Sequence, residues 1–203
     1  MPKPTAKRSV APMATMLILL VALSAVGSSA QVRWGGGVLS QPTEWYSTAE
    51  ARTAADSVML YQSPEGGWPK NTDLLTPPAS ANALERPTID NGATTTPMRF
   101  LALVADATSD EKYRQAFERG MDYLFAAQYP NGGWPQFFPL REGYYSRITY
   151  NDGAMIRALI LLRDVAGGQP PYDFLDVLRQ RRAADDARRG VESVVAAQST
   201  EGG

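Results

Sequence analysis

The sequence predicts an all-α fold, an incomplete α/α toroid of repeated helical hairpins with long loops at one rim, and three observations predict it. The turn Gln-x-x-x-Gly-Gly-Trp-Pro is written at Gln62 and Gln128 and begins again at Gln198, with steps of 66 and then 70 residues, which marks an internal repeat. The match runs upstream, because RGMDYLFAAQ at 119–128 and RGVESVVAAQ at 189–198 share Arg-Gly, an acid, an apolar face and Ala-Ala-Gln. Between the turns, apolar residues recur at helical spacing, first on one face and then nearly all round, as expected for an outer and an inner helix of each unit. A tetratricopeptide solenoid fits less well, since its units are about 34 residues long with short turns at both ends.

Taken in order, Lys3, Lys7 and Arg8 precede an apolar run from Met13 to about Val26, and Ser28-Ser29-Ala30 offers small residues for cleavage. Residues 1–30 therefore read as a secretory leader, with the mature chain starting at Gln31 and a secreted or periplasmic destination. The apolar run is shorter than the roughly 20 residues that span a bilayer, so no membrane insertion is expected after its removal. Residues 31–46 form an N-terminal lead-in, and 47–203 a partial toroid domain whose third repeat is cut short. Ser47-Thr48-Ala49-Glu50 has capping-box spacing and opens a helix with Ala51, Ala54, Ala55, Val58 and Met59 on one face; Thr108-Ser109-Asp110-Glu111 does the same for Tyr113, Phe117, Met121 and Leu124. The inner helices are MRFLALVADA from Met98 and GAMIRALILLRDVA from Gly153. Pro97 places the regular start of the first of these near Thr95 or Thr96. The run RQRRAADDARR at 179–189 reads as the solvated face of an outer helix.

At one end the links are brief, about 107–109 and 167–172. At the other they run from about Gln62 to Asn91 and from Gln128 to Asp152, far beyond the few residues that usually join helices, and long ordered loops are where function sits. The chain has no Cys and no His. Disulfides, thiolate chemistry, Ser-His pairs and the usual zinc ligand are thereby excluded, which leaves carboxylates, Lys, Arg, Tyr or a hard cation. The net charge of −1 becomes three units more negative without the leader, so nucleic acid is not an expected partner.

Each long loop ends in a polar pair, Asp90-Asn91 before Gly92 and Asn151-Asp152 before Gly153. Singly, these side chains suit helix N-caps. Together, neighbouring inner helices would bring Asp90 and Asp152 to one rim, where two carboxylates repel unless a shared proton or cation stands between them. With oxygen ligands alone the cation would be Ca²⁺ before Mg²⁺. Trp68 and Trp134, fixed after Gly-Gly in each copy, read as packing anchors rather than sugar platforms. Lys70, Arg141 and Arg147 in the same loops are candidates to pair with substrate carboxylates, and Tyr144 and Tyr145 are either platforms or loop packing.

GGWPKNTD, TIDNGATTT, DYLFAAQYPNGGWPQFFPLREGYYSRITYNDGAM and LLRDVA resemble the pectate lyases of polysaccharide lyase family ten over nearly all of residues 50–203. Pro97 departs from the pattern, where a glutamine is more usual. The resemblance implies an α/α toroid, secretion, and cleavage of polygalacturonate by calcium-assisted β-elimination. It implies that Asp90 and Asp152 hold the catalytic Ca²⁺. The substrate-binding candidates are Asn91, Lys70, Asn151 and Arg147. The family's proton-abstracting base is an arginine expected beyond residue 203, so the catalytic base is not assigned here and this stretch alone is expected to be inactive and marginally stable; the full-length protein is expected to be a monomer. Three other readings stay open at this point: an inverting toroid glycoside hydrolase using Asp90 and Asp152, a non-catalytic secreted pectate-binding protein, and a triterpene cyclase, whose repeated Gln-x-x-x-Gly-x-Trp turns match but whose Asp-x-Asp-Asp motif is missing.

Overall fold

A computed structural model describes Met1 and residues 32–80 and 85–198. The leader reading falls almost wholly outside the described residues, as does the third turn after Gln198. Helices α1 (Gly36–Leu39), α2 (Ala49–Leu60), α3 (Thr95–Thr108), α4 (Glu111–Ala127), α5 (Ala154–Ala166) and α6 (Val177–Ala196) follow in order, with no β-strand among the described residues. The inner helices α3 and α5 pack on each other; α3 pairs with α4 and α5 with α6. The arrangement is that of an incomplete α/α toroid.

The outer helices start one and two residues later than the capping-box spacing suggests. Thr48 and Asp110 are the caps, accepting from the N–H of Ala51 at 3.2 Å and of Lys112 at 3.1 Å. Both have the extended backbone that an N-cap requires, whereas Ser47 closes a 3-10 turn over Thr43–Ser47 and Thr108 is still helical, with its hydroxyl bonded to the Val104 carbonyl. Ser109, at φ 54°, reverses the chain between α3 and α4. The link from α5 to α6 covers residues 167–176, longer than expected, because Tyr172 and Leu175 are buried in it before Asp176 caps α6.

Tyr113, Phe117, Met121 and Leu124 of α4 are fully buried, and so are Met98, Leu101, Ala102, Val104 and Ala105 of α3. Residues 32–47 belong to the same core: Trp34, Trp45 and Tyr46 surround Phe100 with centroids 6.0–6.5 Å away. α5 is not apolar all round. It turns Ile156, Arg157, Ile160 and Arg163 outward, where nothing among the described residues covers it.

The repeated turn joins one unit to the next. The Gln62 side chain donates to Gly66 O at 2.9 Å and to Ala116 O at 2.8 Å, and accepts from Arg119; Gln128 donates to Gly132 O at 2.9 Å and Asp186 O at 2.8 Å, and accepts from Arg189. Gly66 (φ 100°) and Gly132 (φ 87°) lie so close to the carbonyls of Arg119 and Arg189 that a Cβ on either would fall well inside 3.0 Å. The indoles behind them are wholly buried and donate back to the preceding outer helix, Trp68 to Val58 O and Trp134 to Leu124 O, both at 2.8 Å. The tryptophans are packing anchors. Asp186 corrects the reading of 179–189 as a solvated face: it is buried, with Oδ1 accepting from Arg182 at 2.9 Å and Arg189 at 2.6 Å, since this stretch of α6 faces the Gly132 turn.

Candidate functional site

The residues after each Gly-Gly-Trp-Pro cross the rim and end in short turns, Asp90–Gly92 and Asn151–Gly153, which lie against each other. Each turn has two successive left-handed residues, Asn91 (φ 52°) with Gly92 (φ 72°) and Asp152 (φ 49°) with Gly153 (φ 66°). Asn-Gly and Asp-Gly are the dipeptides that adopt this conformation most readily. The matching φ values equate Asn91 with Asp152, and hence Asp90 with Asn151, so the two carboxylates occupy different positions of one motif. Neither pair caps a helix: the N-caps of α3 and α5 are Thr94 and Gly153, without a side-chain bond.

Asp90 is 3% exposed. Its Oδ2 accepts from Lys70 Nζ and from Gln136 Nε2, each at 2.7 Å, while Oδ1 is buried with no hydrogen-bond partner among the described residues. Thr88 fixes the geometry, its hydroxyl accepting from the Asp90 N–H and donating to the Gln136 carbonyl, which also accepts from Ile89 N at 3.3 Å. Asp152, by contrast, is exposed, and its carboxylate makes no bond among the described residues. Its turn is held by Arg157, which donates to the Asp152 carbonyl at 2.8 Å and whose Cδ lies alongside Gly92 of the other turn.

Two hollows flank Asp90. One, of about 420 Å³, is lined by Trp34, Lys70, Asn71, Asp73 and Asn91. The other, of about 220 Å³, is lined by Gln136, Tyr144, Arg147, Tyr150 and Asn151. Asp90 links them by accepting from a lining residue of each. The sequence candidates thus divide, Lys70 and Asn91 to the larger hollow and Asn151 and Arg147 to the smaller. Tyr144 is 60% exposed and stacked on Tyr145 at 3.9 Å, with Arg141 over the Tyr145 ring at 4.3 Å. Sequence reasoning missed Gln136 and Arg157. Gln136 was detectable, because it follows Gly-Gly-Trp-Pro as Lys70 does; Arg157 had no signal.

Among the described residues no three acids are grouped so as to hold a metal ion by themselves. A cation at Asp90 and Asp152 would therefore have two protein carboxylates and the nearby Asn91 and Asn151 amides. That donor set is all oxygen, short of the six to eight ligands Ca²⁺ takes, and open on the solvent side. The buried, unpartnered Oδ1 of Asp90 fits such an ion.

Helical hairpins stacked as an incomplete toroid bring Asp90 and Asp152, with Lys70, Arg147 and their amide neighbours, to a single rim. The model of the pectic acid lyase family matches residues 62–203, and the chain belongs to that family. Solved structures similar to it include two from one organism. The family 10 polysaccharide lyase from Cellvibrio cellulosa is 36% identical with a TM-score of 0.68, covering 77% of this chain and 50% of that one. An aspartate-to-alanine mutant of a family 10 polysaccharide lyase from the same organism, in complex with trigalacturonic acid, is 35% identical with the same score, covering 77% and 49%. This chain spans about half the length of those structures. No curated protein matches it.

Proposed function

We propose that the chain is the N-terminal part of a secreted pectate lyase that cleaves polygalacturonate by β-elimination, with Ca²⁺ held by Asp90 and Asp152. The observation that carries this reading is the buried, unpartnered Oδ1 of Asp90 in a turn packed against the one that bears Asp152. In the reaction the C5 proton is removed, the C4–O4 bond breaks, a C4=C5 double bond forms, and the departing oxygen takes up a proton. The bound ion would neutralise the charge that spreads onto the adjacent C6 carboxylate as the proton leaves.

The chain's own residues do the holding. Gln136 and Lys70 fix the Asp90 carboxylate by one oxygen and leave the other without a partner among the described residues. Arg157 holds the Asp152 turn through its backbone carbonyl. Lys70 and Asn91 in one hollow, and Arg147 and Asn151 in the other, present donors suited to the carboxylates and hydroxyls of successive uronate units. No base is assigned among the described residues. Residues 1–30 serve as the leader in this reading, and among the described residues no helix is long and apolar enough to cross a membrane.

The full-length protein given polygalacturonate and Ca²⁺ should release an unsaturated, ultraviolet-absorbing product. A chelator should abolish it. Saturated ends that persist with chelator would establish a hydrolase instead, and gel retardation on pectate without product would establish a binding protein.

A further inference from the structure

We propose that Lys70 is a tethered counter-ion that occupies the charge partnership of Asp90 until an acidic polysaccharide draws it away, so that divalent-cation binding at this rim depends on substrate. The inference rests on the lyase reading above and concerns the order in which its ligands bind.

A carboxylate as buried as Asp90 needs a compensating charge. The protein supplies one, the Lys70 ammonium at 2.7 Å from Oδ2, while Oδ1 has no partner among the described residues. Lys70 is not sealed in. Its side chain is 25% exposed, lines the larger hollow beside Asn71 and Asn91, and lies 5.6 Å from the Phe137 ring centroid. A second cation on Oδ1 would share a single carboxylate with the ammonium, and like charges at that separation repel strongly in a partly desolvated site. The bare protein also lacks ligands, since no three acids among the described residues are grouped so as to hold a metal ion.

An incoming uronate carboxylate relieves both problems. It accepts an ion pair from Lys70, whose flexible four-carbon stem lets the ammonium swing into the hollow, and it brings further oxygens for the ion. Gln136 stays behind, a neutral donor that keeps Asp90 oriented. The two residues stand at the same place in successive repeats, directly after Gly-Gly-Trp-Pro, so the rim carries a movable charge at one copy and a fixed neutral donor at the next. Because coupling between two ligands is reciprocal, the ion tightens the sugar by the factor that the sugar tightens the ion.

The test is calorimetric titration of Ca²⁺ into the full chain, with and without saturating trigalacturonate, for the wild type, Lys70→Gln and Lys70→Met. In the wild type the sugar should tighten Ca²⁺ at least about tenfold. Lys70→Gln, which keeps a donor to Asp90 as Gln136 does, should bind Ca²⁺ without sugar about tenfold more tightly than the wild type, and the sugar's effect should shrink accordingly. Lys70→Met should show the same change, and circular dichroism before titration identifies which variants are folded. If Ca²⁺ binds with sugar but Lys70→Gln has the wild-type affinity without it, the counter-ion role is overturned and the lyase reading stands. If the wild type binds no Ca²⁺ even with trigalacturonate, both fall together.

Discussion

Gly132→Ala tests the joint that carries one repeat onto the next and aims the Gln136 loop at Asp90. At φ 87° an alanine is strained by about 1–2 kcal/mol. Its Cβ would also overlap the Arg189 carbonyl, so the turn must back away from α6. Overpacking of this kind costs about 1–3 kcal/mol. Withdrawal further weakens the Gln128 bonds to Gly132 O and Asp186 O, which contribute about 0.5–1.5 kcal/mol each. The sum is on the order of 3–8 kcal/mol, or a fall in Tm of about 6 °C or more for a domain of this size. Gly143→Ala is the control, because Gly143 has nearly the same φ, 83°, but nothing within 4 Å of its Cβ position. It should lose only the backbone term. Thermal unfolding followed by circular dichroism reads both variants, and a Gly132→Ala melting point within about 2 °C of Gly143→Ala would refute the docked-turn argument.

Burial pushes the Tyr123 phenol above its ordinary value of 10.0; below that pH both folded and unfolded chains keep the proton, and above it only the unfolded chain loses it. Stability should therefore fall by about 1.4 kcal/mol per pH unit above about pH 10, and chemical denaturation of Tyr123→Phe should lack that share of the slope. Asp186→Asn strips the buried charge that Arg182 and Arg189 share. With both arginines partly solvated, the loss should be about 1–3 kcal/mol by urea titration, below the cost of breaking a fully buried pair.

The sequence alone determined the repeat, the alternation of outer and inner helices, and the gathering of Asp90 and Asp152 on the long-loop side, because these depend on spacing along the chain. The Asn91-Gly92 and Asp152-Gly153 dipeptides likewise prescribe the left-handed turns by local sterics. Only the tertiary structure decided that Asp90 is buried with one oxygen taken by Lys70 and Gln136, that Asp152 stays exposed, and that Asp186 leaves the charged face of α6 for the interior. Those outcomes depend on which side chains from distant segments, 20 residues away for Lys70 and 46 for Gln136, converge on one oxygen atom. Burial and charge partnership are set by that convergence in space, and residue spacing carries no record of it.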